Sequence, residues 1–186
     1  GEHMTGMRRD LAMNAFAKLP LSASNIKLAQ YWLSLWDGDE LPHRAQLSPA
    51  RMKDLLPGIG IFEVRAGESS RCRLAGTAIQ RALGRELAGL DWRTYTPHHQ
   101  HAERLQRNSI IADGAVGMGI RHSRAPQGAG TTQELQLPFA DRTEDGARLI
   151  LFHLDWRPES TLSGPPSIAP VPIADRFDVV PLLQTQ

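Results

Sequence analysis

Five short stretches of alternating apolar and polar residues, two before a long helical region and three after it, constrain this chain more than any other feature. Ile59–Val64 reads as a strand, and Ala66-Gly67-Glu68-Ser69 as the turn into a second at Arg71–Leu74, so the two form a hairpin. Three more follow at Val116–Ser123, Thr132–Ala140 and Arg148–Trp156. Each has one apolar face: Val116, Met118, Ile120 and His122 on the first, Leu135, Leu137 and Phe139 on the second, Ile150, Phe152, Leu154 and Trp156 on the third. Gly128-Ala129-Gly130 and Glu144-Asp145-Gly146 supply the expected turns between them. Strands in this order with helices between them predict an α+β fold.

Helical spacing fills the rest. Asp10–Leu19 is ended by Pro20, because proline disfavours helical backbone in the residue before it. Ser24 is the expected cap of a second helix, in which Ile26, Ala29, Leu33 and Trp36 recur at helical intervals until Asp37-Gly38. Ser48-Pro49 opens a short helix through Met52, Leu55 and Leu56, which Pro57-Gly58 stops. Thr77–Trp92 reads as short helical pieces burying Ile79, Leu83, Leu87 and Leu90, and a longer helix after Thr96-Pro97 carries a stripe through His101, Leu105, Asn108 and Ala112. Beyond Arg157 the chain holds six of its 13 prolines, a composition that resists packing, although Phe177, Val179, Val180, Leu182 and Leu183 are apolar enough to dock. The expected organisation is an extension over 1–23 opening on Gly1-Glu2-His3-Met4, which looks like a cloning remnant, one domain with its flanking helices over 24–157, and a Pro-rich tail over 158–186.

Composition excludes several functions. Lys and Arg number 21 against 20 Asp and Glu, so no global field draws the chain onto nucleic acid. No stretch approaches the roughly 20 apolar residues of a membrane span. The single cysteine, Cys72, has no partner for an internal disulfide and suits a reducing cytoplasm. His99 and Glu103 share a helical face, but two ligands do not make a zinc site, and no metal is expected. There is no Gly-x-Ser-x-Gly elbow, phosphate loop or Cys-x-x-Cys pair, and Gly58-x-Gly60 and Gly117-x-Gly119 are too short for a dinucleotide motif. The chain is therefore expected not to be an enzyme.

A run of motifs is more specific than the pattern: Tyr31-Trp32, Pro42-x-Arg44, Leu47-Ser48-Pro49, Asp54-Leu55-Leu56-Pro57, the strand Ile59–Val64, Arg73-Leu74-Ala75-Gly76-Thr77 and Gly84-Arg85-Glu86-Leu87-Ala88-Gly89. Over about Lys27–Arg157 the chain resembles a bacterial family of short proteins with a single PAS domain. Glu86 and Ala88 stand where that family tends to have Asp and Thr, and the histidines at 98, 99 and 101 have no counterpart in its pattern. The resemblance implies a five-stranded antiparallel sheet with helices over one face, a cavity between them, and a sensory or regulatory role in signal transduction.

On such a fold the cavity is expected to be lined by Phe62, Val64, Leu74, Ile79, Leu83, Met118, Ile120, Leu135, Leu137, Phe152 and Leu154, a list that suits a small apolar ligand. Haem is the alternative cofactor, because PAS domains that carry it hold the iron by a histidine on the long helix before the third strand, where His98 and His101 stand. A third reading is a ligand-free interaction module with a filled core. The second helix, with Trp32 and Trp36, is the expected interface of a homodimer, since large aromatics dominate interface energetics. The tail has no room for an output module, so the signal is expected to reach a separate partner protein.

Overall fold

The structure, a computed structural model, describes residues 7–65, 70–83, 85–94, 96–125, 128–158 and 176–182. Its strands are β1 (Ile59–Val64), β2 (Ser70–Ala75), β3 (Ala115–Ala125), β4 (Gly128–Arg142), β5 (Arg148–Pro158) and β6 (Arg176–Pro181), and its helices are α1 (Met7–Lys18), α2 (Ala23–Ser34), α3 (Thr77–Leu83) and α4 (His101–Ala112). All strand pairs are antiparallel, in the order β2-β1-β5-β4-β3-β6. The β1–β5 pairing joins the two halves of the chain, with Ile61 opposite Leu151 and Phe62 opposite Ile150.

The sheet has six strands rather than the expected five. The apolar end of the tail docks on its own domain, setting Phe177 opposite Gly119 and Val179 opposite Gly117 and covering an edge of β3 that would otherwise expose unpaired backbone groups. The Pro-rich stretch before β6 lies outside the described residues. Gly128-Ala129-Gly130 is also not the turn expected of it, for the ladder continues until Ala125 faces Gly128.

Both faces of the sheet are covered, so alternate residues of each strand enter different cores. On the outer face α1 and α2 pack over Ile59, Ile61, Leu135, Leu137, Phe139, Leu149 and Leu151. Ser22, two residues before the expected cap, starts α2 by accepting from the Asn25 backbone N–H. The helix buries Asn25, Leu28, Ala29 and Trp32, while Ile26 is 43% exposed. Trp32 meets Phe16 and Trp36 edge-on, at 5.9 and 5.3 Å between ring centroids, and its Nε1–H donates to the Pro138 carbonyl at 3.3 Å. The two tryptophans expected to anchor a homodimer are thus buried in their own chain's core, where they bind α2 to the sheet.

A polar chain completes that attachment. The Ser22 backbone N–H and the Asn25 amide both donate to Gln133 Oε1, at 2.7 and 3.0 Å, and Gln133 Nε2 donates to the Pro20 carbonyl at 2.9 Å. With the Asn25 amide so oriented, His153 Nδ1–H donates to Asn25 Oδ1 at 2.7 Å. Burial holds the His153 pKa below the ordinary imidazole value, against a smaller opposing effect of Asp155.

Candidate functional site

The inner face lies beneath α3 and α4. Phe62 and Val64 of β1, Cys72 of β2, and Ile150 and Phe152 of β5 form its floor, with Ile79 and Ile111 above them. The Phe62 and Phe152 rings stack with centroids 4.2 Å apart. Cys72 is fully buried and its Sγ–H faces the Leu74 carbonyl at 3.3 Å. Desolvation pushes its thiol up to about 11, which leaves it protonated and unreactive near neutral pH.

The expected cavity lining divides between the two faces. Phe62, Val64, Ile79, Phe152 and Leu154 belong to the inner one. Leu135 and Leu137 lie in the outer core instead, and Met118, opposite Leu135 in the ladder, shares their face with Ile120. The physical reason is that alternation marks the more apolar side of a strand, and in β3 and β4 that side meets α1 and α2. Leu74 is 47% exposed, because a register shift between Ile61 and Phe62 sets it opposite Ile61 on the outer face of an edge strand. The Leu83 side chain lies outside the described residues.

What β3 and β4 turn inward is small or polar. The inner side of β3 carries Gly117, Gly119 and Arg121, and that of β4 carries Glu134 and Gln136. The two glycines make room for Phe177 of β6: a Cβ at Gly119 would come within 2.8 Å of its ring. Gln136 Nε2 donates to Glu134 Oε1 at 2.9 Å, and Arg121 Nη2 lies 3.8 Å from Glu134 Oε2. From above, α4 buries Arg104, Asn108, Ile111 and Ala112. Asn108 Nδ2 donates to Ser70 Oγ at 3.0 Å and ties the helix to β2. Arg104 Nη1 donates to Thr96 Oγ1 at 3.1 Å, with its guanidinium 5.7 Å from the Trp92 ring centroid.

Arg107, half-buried one turn along, holds its guanidinium 3.7 Å from the Phe177 ring centroid. Burial lowers its pKa to about 10, against the attraction of Glu134 and with the help of Arg104 and Arg121. Arg107 Nε, Gln136 Oε1 and Trp92 Nε1 are buried without a hydrogen-bond partner. Helical spacing back from Ile111 through Asn108 to Arg104 was the available signal for this polar group; the histidine stripe drew the reading away from it.

The histidines stand at the start of α4. His98 and His99 are exposed, whereas the half-buried His101 packs edge-on against Trp92 at 5.0 Å and donates from Nε2 to the Thr96 carbonyl at 2.8 Å. Iron coordination through His101 Nε2 would have to break that bond. Among the described residues no group of three or more potential metal ligands comes together, and no helix is long and apolar enough to cross a membrane.

Helices folded over one face of an antiparallel 2-1-5-4-3 sheet, with polar groups gathered beneath the longest of them, define an α+β domain of PAS type. The family model described as the PAS domain matches residues 21–151, more than half of the sequence, and the chain belongs to that family. No curated protein shows a significant match to it. PAS domains are generally sensory or regulatory rather than catalytic.

Proposed function

We propose that this chain is a PAS sensor that takes a small molecule on the inner face of its sheet and passes the signal to a separate partner protein, without catalysing a reaction. The observation that carries this reading is Gln136, 1% exposed, whose Oε1 has no hydrogen-bond partner beneath α4. A buried acceptor left unpaired costs about 1–3 kcal/mol, and a ligand that donates to it recovers that free energy. The neighbouring rings of Phe62 and Phe152 suit an apolar body. Because α4 contributes Arg104, Arg107 and Asn108 to the same site, occupancy and helix position are linked, and a ligand that favours one helix position shifts the population toward it. The free thiol of Cys72 accords with a reducing cytoplasm.

The test is a thermal-shift screen of small organic molecules, run beside a visible absorption spectrum before and after addition of haemin. A concentration-dependent rise in Tm that Gln136→Met abolishes supports the proposal. A Soret band lost in His101→Ala would make haem the ligand. With no shift and a featureless spectrum, the chain is an interaction module with a filled core.

A further inference from the structure

The edge of β3 carries a slot for an aromatic ring. Gly117 and Gly119 leave bare backbone on its inner side, and a Cβ at either position would meet the Phe177 ring, at 2.9 and 2.8 Å. Ile111 stands against Gly117, 2.6 Å from where that Cβ would lie, and Arg107 of α4 closes the slot with its guanidinium 3.7 Å from the ring centroid. Glycine weakens a strand, so two at alternate positions mark a close approach, and a guanidinium stacks on an aromatic face. Farther along β6, Val179 meets the inner core, while Val180 and the fully buried Leu182 turn to the outer one. The Leu182 N–H donates to the Gly114 carbonyl at 2.8 Å. This edge therefore selects an extended segment with an aromatic residue, branched apolar residues two and three positions on, and a leucine five positions on.

The strand that fills the slot is an addition to the domain. The match to the PAS family ends at residue 151, within β5, and residues 159–175 separate β5 from β6. Arg176–Pro181 is short, and each of its side chains keeps some exposure. A strand tethered in this way meets its site at an effective concentration of about millimolar, so a tighter-binding segment from another molecule displaces it. A bare strand edge is also a common way of capturing an extended peptide, with main-chain hydrogen bonds for affinity and side-chain pockets for specificity.

We infer that the β3 edge is a strand-addition site for the partner protein, whose extended segment places an aromatic residue between Gly117, Gly119 and Arg107. Arg176–Leu182 is the chain's own occupant of that site, which the partner segment displaces. The inference rests on the partner half of the reading above and not on its small molecule.

The experiment is an NMR titration of the isotope-labelled full chain with unlabelled peptides of the sequence at 174–184, carrying Phe, Tyr, Trp or Ala at the position of Phe177. The Val179 and Val180 methyl signals report whether β6 is docked, and those of Leu135 and Leu151 whether the rest of the sheet is intact. Aromatic peptides at about millimolar concentration are expected to move the valine signals to unstructured positions and to leave the leucines unchanged. The Ala peptide should bind at least about tenfold more weakly, as loss of an aromatic anchor implies. Phe177→Ala in the chain should raise its affinity for the aromatic peptides at least about tenfold, since the tethered competitor has lost its anchor. The wild-type titration decides the matter however well that variant folds. Valine signals that no peptide moves make β6 a fixed part of the sheet and overturn the inference, leaving the small-molecule reading to its own thermal-shift test. An Ala peptide as effective as the aromatic ones removes the slot and overturns it too. A concentration-dependent dimer of the wild-type chain in analytical ultracentrifugation, lost in Phe177→Ala, makes the occupant a second copy and overturns the assignment to a partner protein.

Discussion

Under α1 and α2 the sheet presents Ile61, Leu135, Leu137, Leu149 and Leu151, and Asn25, Gln133 and His153 bond to one another there, although Trp36 Nε1 is buried without a partner. Under α3 and α4 the same strands present a stacked Phe62–Phe152 pair, but also Glu134, Gln136 and Arg121, with buried donors and acceptors left unpaired. One face is organised for stability. The other buries charged and amide groups whose contacts leave Arg107 Nε and Gln136 Oε1 unpaired, and departures from local optimality of that kind concentrate at functional sites.

Mutations can break or sharpen that comparison. Trp32→Ala removes a fully buried indole that touches Phe16, Trp36 and Pro138, so urea denaturation should show a loss of about 3–5 kcal/mol. Asn25→Ala leaves the buried His153 Nδ1–H without its acceptor, and should cost about 1–3 kcal/mol in the same measurement. The outer face also sets a pH dependence. Because the folded His153 pKa lies below the ordinary 6.5, the unfolded chain takes up that proton first, and stability falls as pH drops through and below about 6.5. His153→Gln should flatten that part of the profile relative to wild type, which controls for the other histidines.

The smallest effect is expected on the inner face. Gln136→Met gives up the hydrogen bond from Nε2 to Glu134 but also removes the unpaired Oε1, and these opposed effects should partly cancel to a change of less than about 1 kcal/mol. A loss at Gln136 equal to that at Asn25 would erase the distinction between the faces.

The element order was legible because alternation and turn chemistry are local properties. The expected β1 coincides with the observed Ile59–Val64, and the other four expected strands fall within the observed ones. The candidate site was only half legible. Of the expected lining, Phe62 and Phe152 lie on the inner face, whereas Leu135, Leu137, Met118 and Ile120 lie on the outer one, so they do not line one cavity. Gly117-x-Gly119, too short for a dinucleotide motif, has a steric use, admitting Phe177 to the sheet. That use depends on β6, whose docking is set by the exposed edge of β3 and not by its own proline-rich surroundings.

By itself, then, the sequence determined the element order of an α+β chain, through periodicities that each segment carries within itself, and its motifs carried the resemblance to a PAS domain. Only the tertiary structure decided which side of each strand is core and which is site, whether Trp32 faces a partner or its own sheet, and where the tail ends. Alternation divides a strand into two faces without saying which helices each will meet. That choice rests on contacts such as Asn25 with His153, 128 positions apart, which no local pattern contains.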